Sequence, residues 1–216
     1  MNKPCILLDL DQTLISGEPT DEMRGKKLQQ RRSLFKEHDM SGYYYIYERP
    51  HLQEFLDYVF KHFNVSIFTA ASKDYALFIA ENIILNGKKD RKLDYIFFSY
   101  HTHWSKSVKK YSKELCMLWD THKLDGYNAK NTVIVDDYKT DVHKCQPANC
   151  IIAPPFEFKL EGSQNDTFLL KLIDGNESPL AQMEQRIKNG DSDLAHTVNV
   201  QMNTLHTIKT KRKRIK

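Results

Sequence analysis

Residues 5–14 read Cys5-Ile6-Leu7-Leu8-Asp9-Leu10-Asp11-Gln12-Thr13-Leu14, an apolar run that ends on two aspartates one residue apart. The run over residues 5–8 has the composition of a strand buried on both faces of a parallel sheet. In open α/β sheets, ligands bind at the carboxyl ends of the strands. The two aspartates therefore occupy a position suited to reactive groups, although an Asp-x-Asp pair alone is also typical of a solvated turn.

Two further runs have the same pattern of a buried strand that ends on polar groups. Residues 65–69 read Val-Ser-Ile-Phe-Thr and end on Thr69, and residues 132–135 read Thr-Val-Ile-Val and precede Asp136 and Asp137. If the three strands lie side by side, their carboxylates and the hydroxyl meet at one edge of the sheet. Like charges this close raise one another's pKa unless a cation neutralises them. Because Mg²⁺ prefers oxygen ligands, the pattern favours a magnesium site.

Helical patterns separate these strands. Residues 52–63 carry apolar side chains at helical spacing, and Ser72 can cap a helix over residues 73–85 that ends at Asn86-Gly87. Residues 95–98, Tyr-Ile-Phe-Phe, indicate another buried strand, and residues 167–173 and 180–187 indicate closing helices. Strands alternating with helices predict an α/β fold with a central parallel sheet and helices on both faces.

A set of motifs along the chain together resembles those of a known family. Asp9-Leu10-Asp11-Gln12-Thr13-Leu14 is similar to the first motif of the haloacid dehalogenase superfamily, which has a Rossmann-like fold. The remaining motifs resemble one branch of it, the RNA polymerase II C-terminal-domain phosphatases and their NLI-interacting-factor-like relatives. These motifs lie in the same order along residues 4–173: residues 48–56 and 67–76, Val108-Lys109 with Ser112 downstream, Asp136-Asp137, and Pro147-Ala148-Asn149.

The resemblance implies a mechanism that the residues are chemically able to perform. Asp9 would be the nucleophile that forms an aspartyl-phosphate, and Asp11 would be the general acid and then the general base. The Asp9 carboxylate, the Asp11 carbonyl and Asp137 would hold Mg²⁺, with Asp136 beside them in the metal site. Thr69 would contact the phosphoryl oxygens.

A lysine is also implied as a phosphate-binding group. Lys109, Lys110 and Lys113 lie close together in the sequence. The match of Val108-Lys109 favours Lys109, with Lys110 as the second choice. Two positions depart from the commonest pattern: Gln12 stands where many relatives carry Glu, and Asp137 where several carry Asn.

The interval between Asp11 and Thr69 is too short for a separate cap domain. Tyr43-Tyr44-Tyr45-Ile46-Tyr47 predicts a strand, and residues 26–39 are charged without an apolar stripe, which predicts a loop or hairpin arm. We therefore expect a small β-hairpin insertion that leaves the site accessible to a phosphorylated protein. The tyrosines fit an aromatic groove for an extended peptide and fit an ordinary amphipathic strand equally well.

Length and composition set the outer limits. The 216 residues predict one domain over residues 1–189 and a polar tail over residues 190–216 that ends Lys-Arg-Lys-Arg-Ile-Lys. The net charge of +4 is close to that of the tail, which disfavours a nucleic-acid-binding face on the domain and leaves one possible for the tail. We find no disulfide framework, signal peptide or membrane span. A monomer in the nucleus or cytoplasm is expected, with the basic tail as a nuclear import signal or a solvating segment.

The sequence predicts a Mg²⁺-dependent phosphatase of phosphoserine or phosphothreonine in proteins, acting on peptides like the polymerase C-terminal domain. Two alternatives remain at this point. One is a nucleic-acid 3′-phosphatase or small-metabolite phosphatase on the same fold, and the other is a catalytically silent module that docks phosphoproteins. The silent module is disfavoured because every residue that the chemistry needs is present.

Overall fold

The computed structural model describes residues 3–23, 25–138 and 142–189. In chain order, its strands and α-helices are β1 (Cys5–Leu8), β2 (Ile15–Pro19), α1 (Lys26–Arg32), β3 (Glu37–Met40), β4 (Tyr44–Glu48), α2 (Leu52–His62), β5 (Asn64–Phe68), α3 (Lys73–Ile79), β6 (Leu93–Phe97), α4 (Ser99–Val108), β7 (Thr132–Asp136), α5 (Val142–Cys145), β8 (Cys150–Ile152), α6 (Phe168–Ile173) and α7 (Pro179–Lys188). Two π-helical turns, Ala80–Leu85 and Met117–Thr121, and three short 3₁₀ turns, Thr20–Glu22, Pro147–Asn149 and Ser163–Asn165, complete the set.

A five-stranded parallel sheet with the strand order β6-β5-β1-β7-β8 forms the centre of the fold. β1 lies between β5 and β7, and Leu8 is paired with Ile67 on one side and with Val135 on the other. The predicted neighbourhood of the three strands is therefore confirmed. Since all three run in the same direction, the residues that follow them meet at one edge of the sheet.

Alternate residues of the strands enter two separate cores. Ile6 and Leu8 pack with α2, α3, α6 and α7, whereas Cys5 and Leu7 pack with residues 115–118, Tyr127 and Val142. Strands that are buried on both faces consist of near-continuous apolar residues, and for this reason the sequence predicts them. The α/β architecture with helices on both faces is confirmed.

The predicted helix over residues 73–85 is present in two parts. Ser72 caps it by accepting a hydrogen bond from the Tyr75 backbone N–H at 3.4 Å. α3 then widens into the π-helical turn Ala80–Leu85, and Asn86 ends the run in the left-handed conformation with φ 46°. The closing helices α6 and α7 begin and end within one residue of the predicted bounds.

The insertion between β1 and α2 is a three-stranded antiparallel sheet with the order β2-β4-β3. It contains the predicted tyrosine strand and gains a third strand from residues 15–19. The expectation of a loop or hairpin arm over residues 26–39 is corrected, because α1 occupies residues 26–32 before β3. This short helix is held by distant contacts that local sequence does not reveal: the Arg31 guanidinium donates to the Phe158 carbonyl, and Leu28 packs against Tyr47, Phe156 and Phe158.

Arg49 ties the loop after β1 to the segment before α6. Its fully buried guanidinium donates to both carboxylate oxygens of Asp166 at 3.0 and 2.9 Å and to the Thr13 carbonyl at 2.9 Å. The same group lies 4.8 Å from the centre of the Phe168 ring. Arg49 therefore supports the loop that carries the two aspartates.

Arg49→Met is expected to lower the free energy of unfolding by ~3 kcal/mol, because the Asp166 carboxylate and the Thr13 carbonyl lose their buried partner. Arg32→Met is the matched control, since Arg32 also makes two hydrogen bonds to one carboxylate, that of Glu37, but in a partly exposed pair. The control should cost less than ~1 kcal/mol. Urea unfolding, followed by circular dichroism, measures the free energy of unfolding of both variants. Equal losses of stability in the two variants would contradict the role of Arg49 in supporting the loop.

In the part of the chain that the structure describes, no helix is long and apolar enough to cross a membrane. The predicted basic tail over residues 190–216 lies outside the described residues. Its role, and the domain boundary at residue 189, stay predictions.

Candidate active site

Eleven of the described residues line a cavity of about 420 Å³ at the carboxyl edge of β1, β5 and β7. Four of them are aspartates and one is a lysine. The full set is Asp9, Asp11, Gln12, Thr69, Ala70, Ala71, Ser112, Lys113, Asp136, Asp137 and Tyr138. The structure thus brings together five of the six site residues expected from the sequence, and Lys109 is the exception.

Asp9 follows β1 directly and is almost completely buried, with 6% of its surface exposed. Its Oδ1 accepts a hydrogen bond from the Lys113 ammonium at 2.6 Å, and its Oδ2 accepts one from the Thr13 hydroxyl at 3.1 Å. Thr13 in turn accepts a hydrogen bond from the Asp137 backbone N–H at 3.0 Å. These contacts orient the Asp9 carboxylate toward the cavity.

Asp11 lies two residues further along the same loop and is half-buried. Its Oδ1 accepts a hydrogen bond of 2.7 Å from the hydroxyl of Tyr75 in the first turn of α3. Tyr75 itself is nearly buried. One oxygen of Asp11 is therefore engaged by a neutral donor from a different element of the fold.

Lys113, and not Lys109, reaches the carboxylates. Its buried ammonium donates to Asp9 Oδ1 and, at 2.7 Å, to Asp136 Oδ2. Lys109 is the C-cap residue of α4 and does not line the cavity. Lys109 was expected at this site, and the structure puts Lys113 beside the carboxylates instead; which lysine binds phosphate stays a prediction.

Contacts from a distant segment explain this placement. The Gln146 side chain donates to the Lys113 carbonyl at 2.7 Å and accepts from the Leu115 backbone N–H at 2.7 Å. These two hydrogen bonds hold the chain after α4 so that Lys113 faces the sheet edge. Such a contact spans about 30 residues of sequence and leaves no local pattern.

Asp136 and Asp137 follow one another at the end of β7 but differ in their surroundings. Asp136 is buried, with Oδ2 on Lys113 and Oδ1 accepting the Tyr138 backbone N–H at 2.8 Å. Asp137 is half-buried, and its Oδ1 lies 3.4 Å from the Thr13 hydroxyl. Asp136 is thus paired with a cation, whereas the contacts of Asp137 among the described residues are with the neutral Thr13 hydroxyl.

Thr69 directly follows the neighbouring strand β5 and is buried. Its hydroxyl accepts a hydrogen bond from the Ala71 backbone N–H at 3.1 Å and lies on the cavity wall. Because a hydroxyl can accept one hydrogen bond and still donate its proton, Thr69 retains a donor for an oxygen in the cavity. Thr69 thus lies beside the aspartates, and its role as a phosphate-binding group stays a prediction.

Burial dominates the electrostatics of the cluster. Burial raises the pKa of Asp9 and of Asp11, and burial together with the Asp9 charge raises the pKa of Asp136 to about 6. Burial opposes the charged form of Lys113, but the Asp9 and Asp136 carboxylates outweigh it and raise the pKa of that lysine. Among the described residues, the site therefore holds one protonated lysine and more acidic groups than this lysine can balance.

The residues present fit a divalent cation. Carboxylate oxygens of Asp9, Asp136 and Asp137 all lie within 4.8 Å of one another. In the part of the site that the structure describes, three buried or half-buried carboxylates lie beside one ammonium, which leaves negative charge that is costly unless a cation meets it. The donor set consists of oxygens alone, the preference of Mg²⁺.

Sequence reasoning missed Tyr75 and the contacts made by Gln146. Tyr75 lies three residues after the helix cap Ser72, within a motif that was recognised, so its position in the first turn was visible but its contact with Asp11 was not. The sequence indicated the contacts of Gln146 even less, because a polar residue near the end of a short helix belongs to no recognisable sequence motif.

Comparison with known proteins identifies the family. The NLI interacting factor-like phosphatase family matches residues 4–186. The chain belongs to this family. The resemblance seen in the sequence motifs is thereby confirmed. The family consists of phosphatases.

Two viral proteins are similar over most of their length. The putative CTD phosphatase-like protein 355R of Invertebrate iridescent virus 6 is 44% identical over 173 residues, which cover 78% of this chain and 94% of that protein. The protein of the same name from Invertebrate iridescent virus 3 is 43% identical over 176 residues, which cover 79% and 93%.

Solved structures of the RNA polymerase II CTD phosphatase Fcp1 share the fold. A fission yeast Fcp1 variant bound to beryllium fluoride superposes with a TM-score of 0.53 at 20% identity, covering 98% of this chain and 65% of that chain. A second Fcp1 structure gives a TM-score of 0.52 at 19% identity, covering 98% and 64%. The chain thus spans about 65% of the length of the Fcp1 chains, and at these identities the likeness concerns the fold.

Proposed function

We propose that this protein is a Mg²⁺-dependent protein serine/threonine phosphatase that acts through an aspartyl-phosphate on Asp9, with substrates like phosphorylated C-terminal-domain peptides of RNA polymerase II. The observation that carries the proposal is the meeting of Asp9, Asp11 and Lys113 in one cavity with the carboxylate cluster. The names of the viral relatives and of Fcp1 agree with this substrate class.

In the first half-reaction, an Asp9 carboxylate oxygen forms a bond to phosphorus while the bond from phosphorus to the seryl or threonyl oxygen breaks. Asp11 gives its proton to that leaving oxygen, which departs as the free hydroxyl of the substrate. Burial raises the pKa of Asp11 and so favours the protonated form that this step requires.

In the second half-reaction, a water oxygen attacks the phosphorus of the aspartyl-phosphate and the bond to Asp9 breaks. Asp11, now ionised, takes the proton from that water. Inorganic phosphate leaves, the Asp9 carboxylate is restored, and Asp11 is protonated again. The same carboxyl group serves as acid and base because each half-reaction returns it to the state that the next one needs.

Lys113 and Thr69 are placed to stabilise charge on the phosphoryl group. Lys113 contacts Asp9 directly, so its ammonium adjoins any phosphoryl group bonded to that residue. Thr69 offers a hydroxyl from the adjacent strand. A Mg²⁺ ion held by Asp9, Asp137 and the Asp11 carbonyl, with Asp136 beside it, would supply positive charge against the clustered acids and the phosphoryl oxygens.

The shape of the insertion supports a protein substrate. It is a small three-stranded sheet with one short helix instead of a separate cap domain. Exposed aromatic side chains, Tyr44 on the insertion and Tyr138 at the cavity wall, offer apolar contact for an extended peptide. A monomer in the nucleus or cytoplasm is part of this proposal.

The substrate class is tested by comparing two phosphate esters with the same purified protein in Mg²⁺. A phosphoserine-proline peptide should be hydrolysed with a higher kcat/KM than an oligonucleotide that carries a 3′-phosphate. The reverse order would favour a nucleic-acid 3′-phosphatase. Tight binding of the phosphopeptide without release of phosphate would indicate a silent docking module.

Replacement of the buried lysine distinguishes Lys113 from Lys109. Lys113→Met should lower kcat on the phosphopeptide by on the order of 100-fold, the usual effect of removing a preorganised charge-stabilising donor. Lys109→Met is the matched control and should stay within about twofold, because Lys109 lies outside the cavity. A large loss in Lys109→Met with normal turnover in Lys113→Met would return the role to Lys109.

A further inference from the structure

The Tyr75 hydroxyl is the point where α3 contacts the Asp-x-Asp loop. It donates to Asp11 Oδ1 at 2.7 Å, and the ring is held from the other side by the edge of Tyr44, with ring centres 5.5 Å apart at 79°. Tyr75 has 9% of its surface exposed. The hydroxyl is therefore fixed by packing from two elements.

Gly17 on β2 provides the space for this contact. A Cβ atom added at Gly17 would overlap the Tyr75 hydroxyl, and it would lie 3.2 Å from the terminal ring carbon of Tyr75 and 3.2 Å from Asp11 Oδ1. Residue 17 must lack a side chain if the hydroxyl is to reach Asp11. Three elements, β2, α3 and the loop after β1, thus meet around a single hydrogen bond.

We propose that Tyr75 is a positioning residue that fixes Oδ1 of Asp11 and leaves Oδ2 to exchange the proton, with Gly17 as the position that admits the hydroxyl. This inference rests on the proposed function, since it assumes that Asp11 is the acid and base. The hydroxyl keeps its own proton in both half-reactions, so the proton balance of the reaction is unchanged.

The chemistry of the contact supports the assignment of Oδ1 to the hydrogen bond and of Oδ2 to proton exchange. An aspartate side chain can rotate about its bond to the backbone, and only an oxygen that faces the phosphoryl group can exchange the proton. A hydrogen bond on Oδ1 restricts that rotation. The phenol hydroxyl is a neutral donor, and its 2.7 Å contact with Oδ1 is held by the packing of the ring against Tyr44.

Tyr75→Phe removes the hydroxyl and keeps the ring that packs against Tyr44. We expect kcat on the phosphopeptide to fall on the order of tenfold, as for the loss of one hydrogen bond to a charged group, with KM changed by less than about twofold. The affinity for beryllium fluoride, a phosphoryl mimic that binds the nucleophile Asp9, should stay within about twofold, because Asp9 itself is untouched.

Tyr58→Phe is the matched control. Tyr58 is a partly buried tyrosine on α2 whose hydroxyl interacts with the Glu184 carboxylate, in a different cavity from the aspartates. It loses the same kind of contact, so any effect of hydroxyl loss on stability appears in both variants. Only Tyr75→Phe should reduce kcat.

A double-mutant cycle with Gly17→Ala separates positioning from general disturbance. Gly17→Ala alone should displace the hydroxyl and lower kcat about as much as Tyr75→Phe. In the Tyr75→Phe background, the atom that the new methyl group would overlap is absent. The double variant should therefore lose little more than either single variant, whereas independent effects would multiply.

The outcomes separate this inference from the proposed function. Absence of phosphatase activity in the wild-type protein, or full activity in a variant without the Asp9 carboxylate, would overturn the proposed function. If the wild-type protein is active and depends on Asp9, unchanged kcat in Tyr75→Phe overturns the inference alone. Multiplicative losses in the cycle, or equal losses in kcat and in beryllium fluoride affinity, overturn it as well.

Discussion

Asp9→Asn is expected to lower turnover of the phosphopeptide by at least about 1,000-fold, because an amide oxygen is a poor nucleophile toward phosphorus and no aspartyl-phosphate forms. The substitution keeps the size of the side chain and its acceptor for Thr13, so the fold should survive. Phosphate release from the peptide measures turnover, and circular dichroism checks the fold.

Asp125→Asn is the control for this experiment. Asp125 is exposed and does not line the cavity, so the same chemical change should leave turnover within about twofold. Substantial activity of Asp9→Asn in Mg²⁺ would contradict the covalent mechanism. Labelling by a ³²P-phosphopeptide in the wild-type protein, and its loss in Asp9→Asn, would assign the phosphoryl group to this residue.

Chelation of divalent cations by EDTA is expected to abolish turnover, and added Mg²⁺ should restore it. The described residues that line the cavity include four aspartates and one lysine, so these acids remain incompletely neutralised when the cation is removed. Mg²⁺ should also raise the thermal midpoint of unfolding, because a ligand that binds only the folded state stabilises it. This second readout does not depend on activity.

Asp137→Ala provides the matched test of the cation site. Asp137 has no lysine partner among the described contacts, unlike Asp136, so its carboxylate is the one most available to a cation. In this variant the Mg²⁺-dependent rise of the thermal midpoint should shrink, and more Mg²⁺ should be required for half-maximal turnover. Full turnover of the wild-type protein after rigorous chelation would contradict the metal site.

Local sequence was informative for the central sheet. Residues 5–8, 65–68 and 132–135 are largely apolar runs whose pattern follows from burial on both faces, so strand type and the location of the polar ends could be predicted without tertiary information. The helix cap at Ser72 and the helix end at Asn86 could be predicted equally well, since both depend on backbone groups within a few residues.

The helix α1 shows where local reasoning fails. Residues 26–32 have no apolar stripe, and a helix this short is marginal unless other parts of the fold support it. The Arg31 contact with the Phe158 carbonyl joins residues that are 127 positions apart. The tertiary contact therefore overrides a weak local preference.

The carboxylates of the candidate site could be proposed from the sequence because all four lie at the end of a parallel strand or within three residues after it, and strand ends share one edge. Lys113 could not, because it lies in an irregular segment where Lys109 and Lys110 have the same chemistry. Only the packing that joins Gln146 to this segment places one ammonium between Asp9 and Asp136.

The hydrogen bond from Tyr75 to Asp11 is likewise a product of three-dimensional packing, since it requires the space at Gly17 and a ring held by Tyr44. Chemical identity was thus encoded locally, whereas the orientation of each acid was decided by neighbours distant in the chain.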